Sequence, residues 1–422
     1  MTRRYFGTDG VRGVYGEDLT PSFVERLGRA ATLWCGGGGI FIGRDTRASG
    51  PALERAFASG VASAGGNAVL AGVLPTPAVA LLRQDLGVVI SASHNPPEYN
   101  GVKLFDRRGR KLTDSDEEEI EQLLGAPPRD PDQGRVDNIE VALGSYLDHV
   151  LHRFGSDLSG LRIAVDCANG SYSSIAPASF EQLGAEVTVI GAKPNGRNIN
   201  VGCGATDLQL LQQTVAKSGC DLGIAFDGDG DRMLAVDEHG DAVDGDQILA
   251  VLALDREVEL VAVTRMTNLG FHRLMEEHGI RVLTTDVGDR YVLEALYEHG
   301  ALLGGEQSGH IICLDGHVTG DGLAAGLLLC AALKGRTLSE AVAVMPRYPQ
   351  AGENVRVRER RLSNAIVEEV ERVNAELEGR GRVLVRPSGT EPVVRVLGEA
   401  EDEKEAKALS ARIAALVERE LG

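Results

Sequence analysis

The chain has 422 residues, enough for roughly three or four domains, and 43% of them are hydrophobic, enough for sizeable cores. A formal net charge of −19 argues against non-specific binding to nucleic acid or to an anionic membrane surface. No apolar run approaches the ~18 residues of a membrane span. The opening Met1-Thr2-Arg3-Arg4-Tyr5-Phe6-Gly7 has no apolar signal core, so the expected location is the cytoplasm.

Tyr5 to Gly13 contains Gly7, Gly10 and Gly13 and reads as a bent loop that presents Arg12 to an anion or, more plainly, to solvent. Helical spacing runs from Leu19 to Leu33 behind a Thr20-Pro21 start. Ile40 to Ile42 is a short strand that ends in the charged loop Gly43 to Arg47. A helix over Pro51 to Ala64, a strand over Val69 to Val73 and a helix over Thr76 to Leu86 follow. Val88-Val89-Ile90 is a buried strand that runs into Ser91-Ala92-Ser93-His94-Asn95-Pro96-Pro97. The two prolines stop both helix and sheet, so Ser93 and His94 lie on a loop at a strand end, where ligands bind in open α/β sheets. Ser93 beside His94, with Lys103 in a glycine-flanked loop ten residues on, is a candidate activated nucleophile. The alternative is that Ser93 only caps a turn. Lysine is scarce, with seven in the chain, so its appearance beside this loop is notable.

Residues 125–138 are rich in Pro, Gly and Asp and read as a loop, and Ile139 to Phe154 as a connecting helix. A second α/β unit starts at Leu161 and reaches the strand Leu222 to Phe226, which opens on Asp227-Gly228-Asp229-Gly230-Asp231-Arg232. A third starts near Glu259 and carries Glu306-Gln307-Ser308-Gly309-His310 between apolar pairs. An apolar strand followed by an Asp- or Arg-bearing loop recurs at 40–47, 162–170, 222–232 and 260–265, a weak internal repeat. The tail reads as a small α+β unit with the loop Arg386-Pro387-Ser388-Gly389-Thr390-Glu391-Pro392 between two strands. Cys35, Cys167, Cys203, Cys220, Cys313 and Cys330 are scattered and form no C-x-x-C pair, so they are expected to be reduced thiols.

Asp227, Asp229 and Asp231 crowd three carboxylates into five residues, which repel one another unless a cation neutralises them. Hard oxygen ligands of this kind suit Mg²⁺ or Ca²⁺. Glu238 at the twelfth position imitates a calcium loop, but Arg232 stands where that loop needs Gly and strands flank it. Magnesium serving phosphoryl chemistry is therefore preferred over a calcium loop or a solvated acidic turn. Arg386, Ser388 and Thr390 around Gly389 offer a guanidinium, two hydroxyls and backbone N–H groups, either a phosphate cradle or an ordinary turn. Glu306 and Ser308 suit sugar hydroxyls, and His310 suits acid–base work near neutral pH.

In this order S-A-S-H-N-P, D-G-D-G-D-R, G-E-Q-S-G-H and R-P-S-G-T-E-P resemble the four signature loops of the α-D-phosphohexomutases, over almost the whole chain. The opening Y-F-G-T-D-G-V-R-G, the Gln of G-E-Q-S-G-H and V-G-D-R-Y-V at 287–292 are most similar to the branch that acts on glucosamine phosphates. Asn95-Pro96-Pro97-Glu98-Tyr99-Asn100-Gly101 is closer to the phosphomannomutase form, which makes mannose or glucose phosphate the alternative substrate.

The resemblance implies an α/β protein of four domains around a central cleft, three related mixed-sheet units and a small C-terminal α+β domain. The expected boundaries are 1–150 for the nucleophile, 151–255 for magnesium, 256–350 for sugar recognition and 351–422 for phosphate binding. It implies a phosphoserine at Ser93 and one Mg²⁺ held by Asp227, Asp229, Asp231 and Ser93. Glucosamine 6-phosphate would become glucosamine 1-phosphate through a 1,6-bisphosphate, supplying UDP-N-acetylglucosamine synthesis. Arg12, Lys103, His94 and His310 would serve catalysis, and Arg232, Glu306, Ser308, Arg386, Ser388, Gly389 and Thr390 would bind substrate. A homodimer is compatible with the resemblance. A catalytically dead sugar-phosphate sensor is disfavoured, because neither Ser93 nor any Asp of the acidic loop is missing.

Overall fold

Alternating β-branched strands and amphipathic helices organise the chain, seen in a computed structural model that describes residues 3–7, 9–128, 134–359, 361–388 and 392–422. The first region runs β1 (Phe6–Gly7), β2 (Gly10–Val14), α1 (Pro21–Trp34), β3 (Gly39–Arg44), α2 (Gly50–Ser63), β4 (Asn67–Val73), α3 (Thr76–Leu82), β5 (Leu86–Ile90), β6 (Tyr99–Phe105), α4 (Asp114–Gln122), β7 (Arg135–Asn138) and α5 (Ala142–Phe154). Its strands form one sheet in the order β1-β2-β6-β5-β3-β4-β7. Thr20 caps α1 by accepting the Phe23 N–H at 3.3 Å, and Pro21 supplies a helix-ready φ at the first position. Leu27 and Ala31 of α1 and Phe57 and Val61 of α2 share a core with Ile42 and Val88 of the sheet.

The second region runs β8 (Arg162–Asp166), α6 (Ala176–Gln182), β9 (Glu186–Ile190), α7 (Gln209–Ser218), β10 (Leu222–Phe226), β11 (Met233–Asp237), β12 (Ala242–Val243) and α8 (Gly245–Asp255). The third runs β13 (Leu260–Thr264), α9 (Leu269–Glu277), β14 (Arg281–Thr285), α10 (Asp289–His299), β15 (Leu303–Gly305), β16 (Ile311–Cys313), α11 (Gly322–Leu333) and α12 (Leu338–Val342). Their sheets are ordered β12-β11-β10-β8-β9 and β14-β13-β15-β16. In each of the first three sheets the chain leaves a strand that pairs in parallel and returns antiparallel beside it. The pairs are β5 with β6, β10 with β11, and β15 with β16. The three turns between them carry Ser93, the Asp227–Asp231 run and Glu306 to His310. Of the segments read as a weak sequence repeat only 222–232 is such a turn; 40–47, 162–170 and 260–265 begin on β3, β8 and β13, the parallel neighbours of β5, β10 and β15.

These regions, Met1–Met266 with Gly279–Val344, make one compact unit. Thr267–His278 and Met345–Gly422 make another. The second contains α9, β17 (Gln350–Arg356), α13 (Asn364–Leu377), β18 (Gly381–Pro387), β19 (Val393–Ala400) and α14 (Glu403–Leu421), with an antiparallel sheet ordered β17-β19-β18. Here Asn268 exchanges hydrogen bonds with the Tyr348 backbone at 2.9 and 3.1 Å, and the Leu269 N–H donates to Glu399 at 2.8 Å.

Several local expectations are corrected. The stretch expected as a bent loop contains strands: Phe6 and Gly7 pair with Val11 and Gly10, and Val11 and Gly13 pair in turn with Val102 and Asn100. Lys103 lies within strand β6, not in a loop. A Cβ at Gly101 would sit 2.6 Å from the Ser91 carbonyl, so that glycine serves close strand packing instead of a bend. The helix expected to reach Leu86 stops at Leu82, since Leu86 and Gly87 pair with Ile40 and Phe41. Arg135–Asn138, expected in a loop, is an edge strand on β4. All six cysteines are free. Among the described residues, no helix is long and apolar enough to cross a membrane.

Candidate active site

Ser91 and Ser93 leave the buried end of β5 with different tasks. The Ser91 hydroxyl donates to Asp45 at 2.6 Å and accepts the Ser93 N–H at 2.9 Å, so it is consumed by the scaffold. Ser93 has φ 53°, a left-handed value that a non-glycine residue holds only under constraint. The constraint comes from Arg47 and Asn200. The Arg47 guanidinium, 1% exposed, donates to the carbonyls of Ser93 (3.0 Å), Asn95 (2.7 Å) and Tyr99 (3.0 Å) and is held by Asp45 at 2.9 Å. The Asn200 amide donates to the same Ser93 and Asn95 carbonyls at 2.8 and 3.1 Å. So fixed, the Ser93 hydroxyl donates to Asp227 Oδ2 at 2.5 Å and lies 3.3 Å from His94 Nδ1.

The Asp227–Asp231 turn meets Ser93 because Gly228 lacks a side chain: a Cβ there would lie 2.6 Å from the Ser93 carbonyl. Asp227, Asp229 and Asp231 are buried, and each offers an oxygen within 4.8 Å of the others. Asp227 Oδ1 accepts the Gly230 and Arg232 N–H groups at 3.0 and 3.2 Å. Asp229 Oδ2 accepts Thr76 at 2.6 Å and Lys103 at 2.8 Å, and Asp231 Oδ2 accepts Lys103 at 3.0 Å. The second oxygens of Asp229 and Asp231 are buried without any hydrogen-bond donor. Orphaned carboxylate oxygens are costly in a protein interior, and a hard divalent cation satisfies them. Burial, with the Asp231 and Asp229 charges, pushes the Asp227 carboxyl well above the usual carboxylate range. The donor set therefore fits a metal ion.

Positive charge surrounds this cluster. Burial would strip the Lys103 proton, but Asp229, Asp231 and Asp9 hold the ammonium well above the ordinary lysine range. Arg12 pairs with Asp9, and Arg232 Nε lies 3.9 Å from Asp231. The Nε–H groups of Arg12 and Arg232 are buried without hydrogen-bond acceptors, and such donors suit an anion. Burial, then Arg232 and Arg12, lower the His94 imidazole to about 4, so it is neutral near pH 7. His310 lies 3.3 Å from Asp289 and 3.9 Å from Asp231. Glu306 is buried, accepts the Gly288 N–H at 3.0 Å, and is raised by burial and by Asp289. Ser308 is exposed.

Arg12, Ser93, His94, Lys103, Asp227, Asp229, Asp231, Arg232, Glu306 and His310 thus share one unit, most of them joined by direct contacts. Arg386 and Ser388 belong to the other unit, at the end of β18, where the Ser388 N–H donates to the Val393 carbonyl at 2.8 Å. Gly389 and Thr390 lie outside the described residues. Sequence reasoning missed Asp9, Arg47, Thr76, Lys111, Asn200 and Asp289. Asp9 and Asp289 stand inside stretches already singled out, and Arg47 inside a strand-end charged loop. Thr76, Lys111 and Asn200 carry no local signal.

A buried serine tied to a metal-ready carboxylate cluster and ringed by guanidinium and ammonium groups defines a phosphoryl-transfer enzyme. The family models for phosphoglucomutase/phosphomannomutase match throughout: alpha/beta/alpha domain I at residues 3–127, domain II at 144–240, domain III at 244–348 and the C-terminal domain at 353–416. The chain belongs to this family and is a phosphohexomutase, an isomerase acting on sugar phosphates. It is 48% identical over 427 residues to phosphoglucosamine mutase of Moorella thermoacetica, covering 95% of this chain and 96% of the relative. It is also 48% identical over 450 residues to phosphoglucosamine mutase of Streptomyces coelicolor, covering 99% and 100%. A crystal structure of a phosphoglucomutase/phosphomannomutase family protein from Burkholderia thailandensis superposes with a TM-score of 0.86 at 25% identity, over 100% of this chain and 99% of that one. The fold is shared with Aspergillus fumigatus N-acetylphosphoglucosamine mutase, at a TM-score of 0.72 and 21% identity, over 99% and 96%.

Proposed function

We propose that this enzyme interconverts glucosamine 6-phosphate and glucosamine 1-phosphate through a phosphoserine at Ser93 and a glucosamine 1,6-bisphosphate intermediate. The observation that carries the chemistry is the Ser93 hydroxyl, 2.5 Å from Asp227 in the carboxylate cluster. Asp227, Asp229 and Asp231 hold one Mg²⁺ per chain, which supplies charge neutralisation for phosphoryl transfer when bound. Ser93 passes its phosphoryl group to the sugar O1 and recovers one from O6, so the enzyme ends each cycle phosphorylated. Arg12 and Arg232 bind the phosphoryl oxygens with their unpaired Nε atoms. Neutral His94 accepts a proton beside Ser93, while Lys103 and His310 exchange protons with the sugar hydroxyls. Glu306 and Ser308 orient the sugar, and Arg386, Ser388, Gly389 and Thr390 hold the phosphate that does not react. The site of action is the cytoplasm.

Near-full-length identity to phosphoglucosamine mutases supports the glucosamine preference. The reading of mannose or glucose phosphate rests on the segment 95–101. Its Asn100 side chain is turned to scaffolding, donating to Ser49 at 2.8 Å and accepting its neighbour's N–H at 2.8 Å. Comparison of kcat/KM on the 1-phosphates of glucosamine, glucose and mannose tests the assignment. Glucosamine phosphate is expected to be preferred, and a higher value on either other sugar overturns the reading.

A further inference from the structure

Lys111 takes no part in the chemistry above, yet it completes a closed circuit of alternating charge. Lys103 Nζ lies 3.0 Å from Asp231 and 3.2 Å from Asp9. Lys111 Nζ donates to the other oxygen of Asp9 and lies 2.7 Å from Asp289 Oδ2. That same Asp289 oxygen is 3.3 Å from His310 Nε2, and His310 Nδ1 is 3.9 Å from Asp231. The circuit thus runs Lys103, Asp9, Lys111, Asp289, His310, Asp231 and back to Lys103. Lys111 enters from the turn after β6, whereas Asp289 opens α10 and His310 precedes β16.

We propose that Lys111 is a positioning residue: by holding Asp9 and Asp289 at once, it sets where Asp9 meets Lys103 and where Asp289 meets His310. The proposal rests on the assignment of Lys103 and His310 to proton transfer. His310 has little other guidance. Its Nε2 makes no well-aligned hydrogen bond, and its ring lies against Gly320, where a Cβ would come within 2.2 Å of Nε2. The contact with Asp289 therefore fixes which way the ring points. Without Lys111, Asp9 and Asp289 become partly uncompensated anions in a half-buried site, and both shift toward the remaining cations. Lys103 and His310 would be drawn from their places together, although neither has been changed.

A simple fastening role is separable from this one, because the neighbouring residue already fastens the same two segments. The Arg290 guanidinium donates to the Leu112 carbonyl at 2.9 Å and pairs with Asp114, and it makes no hydrogen bond or ion pair with a member of the circuit among the described residues. Lys111→Met keeps the aliphatic stem and removes the charge. It should lower kcat about 10–100-fold, the cost of misplacing reacting groups by about an ångström, with KM changed less than about threefold. Lys111→Arg should restore most of kcat, since it can still reach both carboxylates. Arg290→Gln should lower Tm and keep kcat. Asp289→Asn, isosteric and still able to fold if Lys111→Met is not, should reproduce the kcat loss. The assays use whichever hexose phosphate the unaltered enzyme turns over best, so failure of the glucosamine assignment leaves the test intact. Unchanged kcat in folded Lys111→Met or Asp289→Asn overturns the proposal. So does a kcat loss of equal size in Arg290→Gln, which would reduce Lys111 to a fastener.

Discussion

Two buried carboxylate clusters of the larger unit are wired in opposite ways. Asp321, at the start of α11, accepts Tyr146 and Tyr172 at 2.8 Å each and the Ala324 N–H at 3.0 Å, and it faces His317 at 3.1 Å. The two phenol oxygens lie 2.7 Å apart with both protons committed to Asp321, and His317 stacks with His149. Every oxygen of Asp321 has a donor. Asp229 and Asp231 each keep a buried oxygen with none. A satisfied buried acid is a structural joint, worth its hydrogen bonds. Two unsatisfied oxygens within a cluster of three carboxylates are costly to folding, and a cation held among them would remove that cost.

The sharpest way to break this contrast is at Ser93. Ser93→Ala should reduce kcat by about 10³-fold or more while leaving Tm nearly unchanged. Ser91→Ala should instead loosen the loop, because its hydroxyl bonds Asp45 and the Ser93 N–H. Phosphopeptide mapping that places the stable phosphate on Ser91 would reverse the two roles. Next, Asp229→Asn should cost about 10²–10³-fold in kcat. Added Mg²⁺ should raise the Tm of the unaltered protein and not of this variant, through binding to the folded state alone. Full activity in metal-free Asp229→Asn would remove the metal from the site.

At the satisfied cluster the expectation turns round. Asp321→Ala should cost about 3 kcal/mol of stability, because it strands two phenols and a histidine. The folded fraction should keep its kcat within about twofold. Loss of kcat without loss of stability would make this cluster part of the chemistry.

The smallest effect is in the pH dependence, where the clusters should differ in sign. Burial would raise Asp321, but hydrogen bonding and charge from His317, with the Ala324 N–H and Tyr172, hold it below 3.8. Its stabilisation is then complete above that value and lost as pH falls through the lower folded-state value. Asp227 in the metal-free protein lies well above 3.8, so the folded state retains its proton longer than the unfolded chain does. Its contribution is present below 3.8 and lost as pH rises toward the folded-state value. Each slope is at most about 1.4 kcal/mol per pH unit. Chemical denaturation across pH with chelator present should show Asp227→Asn removing the loss on the alkaline side and Asp321→Asn the loss on the acid side. The reverse assignment would refute the argument.

What the sequence by itself determined lies in contiguous runs. Val88 to Ile90 followed by small residues and two prolines marks a strand end, and Asp227, Asp229 and Asp231 crowd charge that wants a cation. Such features arise from backbone preference and short-range repulsion, which act between neighbours along the chain. The tertiary structure alone decided which distant groups complete them. Arg47 and Asn200 reach the Ser93 carbonyl across 46 and 107 residues, Thr76 reaches Asp229 across 153, and Lys111 reaches Asp289 across 178. Strand register and the close approach of glycine backbones choose those partners. Lys103 shows the limit of local reading most plainly: its flanking glycine suggests a bend, yet pairing on both sides by β2 and β5 makes the stretch a strand and carries the ammonium into the acidic cluster. A residue's own neighbours in sequence cannot encode that pairing, because the energy that enforces it is burial between segments that meet only when the sheet is assembled.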